Sequence, residues 1–358
     1  MLTDIKIIDL SRVLAGPLCT MMLADLGASV IKVERPGTGD ETRSWGPPFD
    51  DRGESAYYLS VNRNKMSVAM DFDHEPDREL LFRLIGDADV VVDNFRPGTL
   101  ERRGIDAEKL LGANPSLVWC TISGFGEASD RAGYDLAIQA ECGWMSITGE
   151  PAGAPMRAAV AFADILAGKD AAIAILAALV APRPANRRLH ISLLASATAA
   201  LTNVAQNVLV SGVDAKRWGN QHPNLVPYQL FDAADRPVII AVGTDPQWKA
   251  CTQTLGLDEL AADASLAMNT GRIAARERII AEIASMAAQR PAQDLIDRLN
   301  AAGVPCGVVN SVLEALQNIG CSPLTGVAPS VPGTVRMPPP RLDEQGVSIR
   351  RSGWSVFT

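Results

Sequence analysis

The feature that most constrains the fold is a strand–helix–strand alternation in the first third of the chain. Short β-branched, apolar runs predict buried strands at 5–10, 29–34, 88–95 and 116–126. Apolar residues at helical spacing predict helices at 19–27 and 77–87. This alternation is typical of a parallel sheet with helices on its faces, so we predict an α/β fold. Ligands of such sheets bind beyond the carboxyl ends of the strands, which points to the loops 11–17, 34–43 and 94–104.

The remainder of the chain changes character twice. From 134 to 210 it is rich in alanine, and the pattern predicts one helix at 171–181 and a second near 190–211. Residues 212–225 resemble a linker. A second unit then begins with strand-like runs at 228–231 and 237–243, followed by helices to about residue 300. The proline-rich stretch 331–342 cannot be helical and is expected to run extended.

Composition excludes several classes of function. A net charge of −8 and a pI near 5.1 disfavour nucleic acid as a partner. No apolar run approaches the roughly 20 residues that span a bilayer, so no membrane partner is expected. Six scattered cysteines, with no CxxC pair, favour reduced thiols and a cytoplasmic location. Three histidines, without ligand spacing, leave little support for a metal site.

The common nucleotide and hydrolase motifs are also missing from the sequence. The glycine-rich GTGD at 37–40 does not have the GxGxxG spacing of a dinucleotide fingerprint. There is no GxxxxGK[ST] phosphate loop and no GxSxG elbow, and a serine triad would lack a convincing histidine base.

Two segments remain as candidates. The turn at 94–104 carries Arg96, Arg102 and Arg103 beyond a predicted strand. It is either a solvated basic turn or an anion site, because guanidinium groups match phosphate oxygens. Asp164 stands where a short apolar run meets a helix. It is either a helix N-cap or a carboxylate nucleophile, which needs no base because it is ionised at neutral pH.

Several separated stretches, in order along nearly the whole chain, resemble the family III CoA transferases. These are IKIIDLSRVLAGPLCTMMLADLGASVIKVERPGTGDETR (5–43), NRNKMSVAMDF (62–72), ADVVVDNFRPGTLERRGI (88–105), the stretch from SGFGEASDRAGYD to FADILAG (123–168) and, more loosely, HPNLVPYQLF (222–231) and GVPCGVV (303–309). The family includes formyl-CoA transferase, several dicarboxylate transferases and acyl-CoA racemases.

The resemblance implies a fold and an assembly. It implies a Rossmann-like large CoA-binding domain with a parallel sheet (1–188 and 326–358), linker helices (189–222) and a smaller α/β domain (223–325). It further implies a homodimer whose two chains interlock like rings. Acyl-CoA and carboxylic acids would be its substrates, with no permanently bound cofactor.

The resemblance also assigns roles to individual residues. The catalytic aspartate of the family falls on Asp164. Positions expected to bind CoA are Val13 and Arg35 at the adenosine, Met70, Asn94, Phe95 and Thr99 along the channel, and Arg102 at the phosphates. On the substrate side, Leu14 and Tyr134 fall near the acyl site, and Arg157 could meet a distal carboxylate or be a solvated surface arginine.

Departures from the family pattern keep alternatives open. Formyl-CoA transferase has a glutamine where this chain has Leu14, a tetraglycine loop not found here, and a lysine where this chain has Asp73, so formate/oxalate exchange is disfavoured. Racemases have a histidine where this chain has Tyr134, a poor acid/base at neutral pH. A 2-methylacyl-CoA racemase is therefore retained only as the first alternative to a CoA transferase. The usual Gly-Glu-His-Thr motif is replaced by Asp343–Gly346, so a non-catalytic CoA-binding protein is the second.

The sequence-based hypothesis is thus transfer of CoA from an acyl-CoA to a carboxylic or dicarboxylic acid. Asp164 would carry the acyl group as a mixed anhydride and then CoA as a thioester. The stretch 143–157 is closest to the dicarboxylate transferases, which favours succinyl-CoA as donor.

Overall fold

The computed structural model describes residues 1–181 and 187–357. Its strands are β1 (Lys6–Asp9), β2 (Ser29–Glu34), β3 (Lys65–Ala69), β4 (Val90–Asp93), β5 (Val118–Ser123), β6 (Arg188–Ser192), β7 (Tyr228–Asp232), β8 (Pro237–Ala241), β9 (Cys306–Val308), β10 (Cys321–Ser322) and β11 (Gly326–Val327).

Helices separate most of these strands. They are α1 (Ala15–Asp25), α2 (Ala56–Leu59), α3 (Glu75–Gly86), α4 (Ala107–Ala113), α5 (Asp135–Glu141), α6 (Trp144–Ile147), α7 (Phe162–Val180), α8 (Leu193–Ala199), α9 (Thr202–Ser211), α10 (Asp245–Leu255), α11 (Asp258–Ala262), α12 (Asn269–Ala274), α13 (Arg276–Ala287), α14 (Ala292–Ala301), α15 (Val312–Gln317) and α16 (Gly346–Ser352). Short 3₁₀ turns lie at Glu41–Ser44, Glu101–Arg103, Ala264–Leu266 and Gly353–Phe357.

The chain forms two compact units. The larger contains Met1–Ser146, Arg157–Ala215 and Ile319–Thr358, and the smaller contains Ile147–Met156 and Lys216–Asn318. These bounds differ from the predicted division into 1–188 with 326–358, 189–222 and 223–325, which stays a prediction. Most of the 189–222 segment, predicted as linker helices, packs within the larger unit.

The larger unit is built on a six-stranded sheet in the order β3-β2-β1-β4-β5-β6, with every neighbouring pair parallel. This is the doubly wound strand order, and the direction of the chain across the sheet reverses between β1 and β4. The α/β class predicted from the alternation is therefore confirmed. Ligand sites in such sheets lie at the reversal point, beyond the carboxyl ends of these two strands.

Apolar side chains cover both faces of this sheet. One buried cluster joins strand residues such as Ile7 and Val92 to helices α1 and α7. The other joins Ile8 and Val91 to α3, α4 and α16. Consecutive residues of β1 thus enter opposite clusters, as the twofold alternation of a strand requires. Burial on both faces explains why these strands read as continuous apolar runs.

The proline-rich segment 331–342 contains no helix or strand, as predicted, and it lies against the open edge of β3. The Asn64 backbone N–H donates to the Met337 carbonyl of this segment at 3.0 Å. Gln345 then exchanges hydrogen bonds with the backbone of Ser67, donating to its carbonyl and accepting from its amide. The segment thereby covers the sheet edge, which would otherwise expose unpaired backbone groups.

The smaller unit has a three-stranded antiparallel sheet in the order β7-β8-β9. Its core joins β8 to α10, α13 and α14 through residues such as Ile240, Leu255, Ile283 and Leu299. The α10 N-terminus carries a capping box formed by Thr244 and Gln247.

One sequence-based element is wrong. The helix predicted near 190–211 begins as strand β6, and the helices α8 and α9 follow it. The strand pairs with β5 in parallel over five residues, from Arg188 opposite Trp119 to Ser192 opposite Ser123. The edge of the sheet overrides the helical tendency of this short segment, because pairing satisfies its backbone groups.

Candidate active site

The loops after β1 and β4 are joined at the point where the strand order reverses. The Arg12 amide donates to the Asn94 side-chain oxygen at 3.0 Å, and the Asn94 side-chain nitrogen donates to the Arg12 carbonyl at 2.7 Å. This reciprocal pair fixes the two loops against one another. It assigns Asn94 a structural contact beside the candidate site in addition to its predicted place along the CoA channel.

A groove of about 780 Å³ lies on one side of this pair. Its walls come from the loops after β1, β2, β3 and β4, and they include the predicted CoA-binding residues Arg35, Met70, Phe95 and Thr99. Met70 is buried, whereas Arg35 is exposed at the rim. The groove is the larger of the two spaces beside the reversal point, and apolar side chains such as Met70 and Phe72 line it together with three arginines and several carboxylates.

A second cavity of about 200 Å³ adjoins this groove and contains Asp164. Val13, Asn94, Phe95 and Tyr134 also line it. The two spaces share Arg12, Glu41 and Phe95. The side chains of Arg12 and Glu41 form an ion pair with a nitrogen–oxygen distance of 3.2 Å. The Arg12 guanidinium lies 5.1 Å from the centre of the Phe95 ring. A ligand that extends from the groove to Asp164 must therefore pass these three side chains.

Asp164 stands in the first turn of α7 and is not its N-cap, since Ala161 occupies that position. The N-cap interpretation of this residue is wrong. Its side chain is partly buried, and the backbone N–H of Ala15, the first residue of α1, is close enough to lower its pKa. The amino ends of α1 and α7 therefore meet at this carboxyl group.

Close packing of the two helices depends on Gly168. A Cβ at this position would lie 2.6 Å from the Ala15 carbonyl oxygen, a contact that the backbone could accommodate only by moving. Glycine therefore lets α7 approach the first turn of α1 one helical turn beyond Asp164. This packing brings the Ala15 amide within reach of the Asp164 carboxylate.

The environment raises the pKa of Asp164 to about 7. Burial is the main cause and the nearby charge of Asp135 the second, while the Ala15 hydrogen bond opposes them. Asp135 is itself fixed, since it accepts from the Ala163 amide at 2.8 Å and from the Gln139 side chain at 2.6 Å. A carboxyl group with a pKa near 7 is both ionised and protonated around neutral pH, which is a common property of functional groups.

Tyr57 belongs to the same electrostatic environment. Burial and then the charges of Asp164, Asp135 and Asp40 raise its pKa to about 12, so the phenol stays protonated. Its ring packs edge to face on Trp45, with centroids 5.1 Å apart. Tyr57 can therefore act near Asp164 as a hydrogen-bond donor.

The predicted site residues divide into those that line the two spaces and those that do not. Lining residues are Val13, Arg35, Met70, Asn94, Phe95, Thr99, Tyr134 and Asp164. Leu14 is the N-cap residue of α1 and lines neither space. Arg102 donates to the Thr99 hydroxyl at 3.3 Å and stays outside the groove, whereas Arg103 lines it. Arg157 is exposed and donates to the carbonyls of Ala158 and Ala159.

Sequence reasoning missed Arg12, Asp40, Tyr57 and Asp135 as site residues, whereas it named Arg103 as part of a candidate anion site. Arg12 and Asp40 lie within the loops 11–17 and 34–43 that the strand pattern indicated, so their position was a usable signal. Tyr57 in α2 and Asp135 at the start of α5 are far from Asp164 in sequence and approach it only in the folded chain. Their proximity could not be inferred from sequence spacing.

The described residues contain neither a candidate metal site nor a single membrane-spanning helix. Within 1–181 and 187–357, no group of three or more His, Cys, Asp or Glu side chains could hold a metal ion. In the same ranges no single helix is long and apolar enough to cross a membrane, although α8 and α9, bent by 71° at their junction, pass that test of length and composition as a pair.

The fold and the site define a doubly wound α/β protein with a carboxyl-containing cavity next to the reversal point of its sheet. The chain belongs to CoA-transferase family III, whose family model matches residues 2–329. It is accordingly a CoA-transferase by family, as the sequence resemblance implied.

Relatives of known activity support this membership. The chain is 42% identical over 323 residues to the succinate–glutarate CoA-transferase of Agrobacterium fabrum, covering 87% of this chain and 81% of that protein. It is 34% identical over 368 residues to the acetyl-CoA:oxalate CoA-transferase of Acetobacter aceti, with 96% and 94% covered. A solved CAIB/BAIF family protein from Brucella suis superposes with a TM-score of 0.85 at 39% identity, with 97% of each chain covered.

Proposed function

We propose that this enzyme transfers CoA from an acyl-CoA to a carboxylic acid through two covalent intermediates on Asp164. The observation that carries the proposal is a carboxyl group with a pKa of about 7 in a cavity that adjoins a groove large enough for a nucleotide. Val13, Arg35, Met70, Phe95 and Thr99 are proposed to bind CoA, because they line these two spaces.

The first half of the reaction forms the aspartyl thioester. An ionised oxygen of Asp164 attacks the thioester carbon of the donor, the C–S bond breaks, and a mixed anhydride and CoA thiolate result. The thiolate then attacks the aspartyl carbonyl carbon. The donor acid leaves as its carboxylate, and CoA remains bound to Asp164 as a thioester.

The second half reverses these steps with another acid. The acceptor carboxylate attacks the aspartyl thioester, which gives a new anhydride and releases the thiolate. The thiolate attacks the acceptor's carbonyl carbon, forms the product thioester and restores Asp164. Each step exchanges one activated acyl derivative for another, so the sequence consumes no ATP.

The chain's own groups support these steps. The Ala15 N–H, which lines the same cavity and lowers the pKa of Asp164, is the backbone donor proposed to stabilise the oxyanion that forms at this carbonyl. The small volume of the cavity limits the water that could hydrolyse the anhydride. The protonated Tyr57 and the Arg12 guanidinium are further donors near the developing charge.

We propose a dicarboxylate such as succinate as the donor acid. Relatives act on succinyl-CoA with glutarate or mesaconate as partners, according to their names. Arg12, Arg96 and Arg131 line the Asp164 cavity, where they can attract anionic acids. The proposed role of Arg157 at a distal carboxylate has less support, because this side chain lies outside the cavity lining.

The direct test is the chemical state of Asp164 during turnover. After incubation with succinyl-CoA and rapid quenching, mass spectrometry should detect CoA attached to the peptide that contains Asp164. Asp164→Asn should lose this adduct and lower the rate of CoA transfer to glutarate by at least about 10³-fold, because the nucleophile is gone. Asp170→Asn, an exposed aspartate on the same helix, is the matched control and should keep both. Full transfer by Asp164→Asn would refute the covalent mechanism.

Two alternatives predict other outcomes in the same assay. A 2-methylacyl-CoA racemase would incorporate solvent deuterium at the α-carbon without any acceptor acid. A non-catalytic CoA-binding protein would bind CoA without turnover across a broad panel of acids.

We also propose a homodimer with interlocked chains in the cytoplasm. Large apolar side chains are exposed on and after α7 and α9, namely Ile173, Val180, Leu209, Val210 and Val213, and a partner chain would bury them. Light scattering should then give twice the chain mass of 38.0 kDa. The cytoplasmic location is supported by the buried thiols Cys19, Cys120, Cys142 and Cys251.

A further inference from the structure

Val13 has an unusual backbone conformation beside the nucleophile. Its φ is +70°, in the left-handed region, and a β-branched residue there is strained. Val13 is followed by Leu14, the N-cap of α1, and then by Ala15, whose amide contacts Asp164. The direction of the Ala15 N–H therefore depends on how the chain turns at Val13. Strain of this kind persists only where surrounding contacts hold it.

The contact that holds Val13 is the carboxylate of Asp40. Both oxygens of Asp40 lie 3.3 Å from the Val13 amide nitrogen. One of them also accepts from the Thr42 amide at 3.0 Å and from the Thr42 hydroxyl at 2.8 Å. Asp40 is buried, and it lines the groove but not the cavity that contains Asp164.

Lys32 connects Asp40 to Ser11, which precedes Val13 in the loop after β1. Its ammonium group is fully buried, lies 3.1 Å from the Asp40 carboxylate and donates to the Ser11 carbonyl at 2.8 Å. Lys32 stands on the interior strand β2, which pairs with β1 on one side and β3 on the other. The sheet is thus connected through two buried charges to Ser11 and to the amide of the strained Val13.

From these contacts we infer that Asp40, held by Lys32, is a positioning residue for the nucleophile. It keeps Val13 in its left-handed conformation, and the first turn of α1 then presents the Ala15 N–H to Asp164. Asp40 acts only through the backbone and touches neither the acyl group nor the thiol. The inference deepens the proposed transferase function and rests on it.

Two substitutions test whether Asp40 acts through the backbone at Val13. Asp40→Asn keeps the size of the side chain but removes the charge that pairs with Lys32. It should lower kcat by about 10–100-fold, the range for a misplaced catalytic contact, with a smaller effect on KM for the acyl-CoA. Adding Val13→Gly should recover most of the lost kcat, because glycine adopts positive φ without strain. Because Val13 is also proposed to bind CoA, removal of its side chain in Val13→Gly should raise KM for the acyl-CoA.

Asp25→Asn is the matched structural control. Asp25 is another buried carboxylate of the same unit, 2.7 Å from Arg63, at the opposite end of α1 and about 15 Å along the helix from Ala15. It should lower the denaturation midpoint but keep kcat at temperatures where the protein is folded. An equal loss of kcat in Asp25→Asn and Asp40→Asn would show general destabilisation and overturn the assignment.

Hydrogen exchange provides a readout that does not depend on catalysis. The amides of the 12–16 segment should exchange about tenfold faster in Asp40→Asn than in the wild type, since their restraint is lost. Unchanged exchange and unchanged kcat in Asp40→Asn would refute the inference even if wild-type transfer is confirmed. Absence of transfer by the wild type would instead refute the proposed function, and the exchange result would still decide whether Asp40 holds the loop.

Discussion

Two aspartates close to the carboxyl edge of the same sheet have opposite electrostatic environments. Asp9, the last residue of β1, is fully buried, and its pKa is lowered to about 2. Burial alone would raise it, but the charges of Lys65 and Lys32 and the hydroxyls of Ser11 and Thr20 outweigh burial. Asp164 is less deeply buried and has a pKa of about 7. The charge of Asp135 raises this pKa further, and the backbone amide of Ala15 opposes the rise.

The difference teaches that the partners of a carboxylate, more than the extent of its burial, decide its role. Lys65 lies 2.9 Å from Asp9, and the Thr20 hydroxyl lies 2.6 Å from it. These partners make Asp9 a permanent structural anion. Asp164 has a much weaker set of partners, so its charge is costly and its oxygen is poorly stabilised before reaction.

The largest expected effect concerns stability and comes from Asp9. Asp9→Asn should lower the free energy of unfolding by about 3–5 kcal/mol, because it leaves Lys65 buried without its counter-charge. Urea denaturation at pH 7 measures the change. Asp4→Asn, an exposed aspartate just before the same strand, should have little effect. A loss in Asp9→Asn no larger than in this control would show that the pair contributes nothing.

The second prediction is that substitution of Asp164 by asparagine stabilises the folded protein by an amount that depends on pH. Its folded pKa is above the unfolded value of 3.8, so the folded state binds more protons between pH 3.8 and about 7. The contribution of Asp164 to stability is therefore lost as pH rises through this window. Asp164→Asn should be more stable than the wild type at pH 8 by about 2–4 kcal/mol, since each pKa unit corresponds to about 1.4 kcal/mol.

The measurement is the difference in free energy of unfolding between Asp164→Asn and the wild type, determined at pH 5 and at pH 8. Taking the difference removes the contributions of other titrating groups, such as His190 and His222, whose pKa values are lowered by burial and a nearby arginine. A difference that does not grow with pH would show that the pKa of Asp164 is not raised.

The smallest effect is expected from Asp135. Asp135→Asn removes the negative charge next to Asp164 and keeps an oxygen that can accept from the Ala163 amide. The pKa of Asp164 should fall by up to about one unit, so the midpoint of the pH–rate profile for adduct formation moves to lower pH. Single-turnover kinetics from pH 5 to pH 8 give this midpoint. Asp130→Asn, an exposed control in the preceding loop, should leave it in place, and an equal shift in both variants would mean that the effect is not local.

Much of the larger unit could be predicted from the sequence because its strands carry strong periodic signals. The run at 29–34 coincides with β2, and the run at 88–95 contains β4. The strand β6 was not recognised, since Arg188–Ser192 is short and leads directly into the helical pattern of α8. Its identity depends on pairing with β5, a contact that lies far away in sequence.

The candidate site was only partly predictable for a similar reason. Asp164 was found through a stretch of sequence that resembles a family, and the loops through the strand order. The positive φ of Val13 could not be anticipated, because valine rarely adopts it and no local pattern indicates it. The contacts of Asp40 with Val13 and of Asp135 with Ala163 link segments that only tertiary folding brings together.

The covered edge of β3 has a consequence for biosynthesis. That strand is complete once residue 69 has left the ribosome, yet the groups that pair with it, at Met337, Asp343 and Gln345, are translated more than 250 residues later. During this interval the nascent chain exposes an unpaired strand, which is a template for aggregation. We therefore expect a chain that has not been translated past residue 345 to aggregate through this edge more readily than the complete chain.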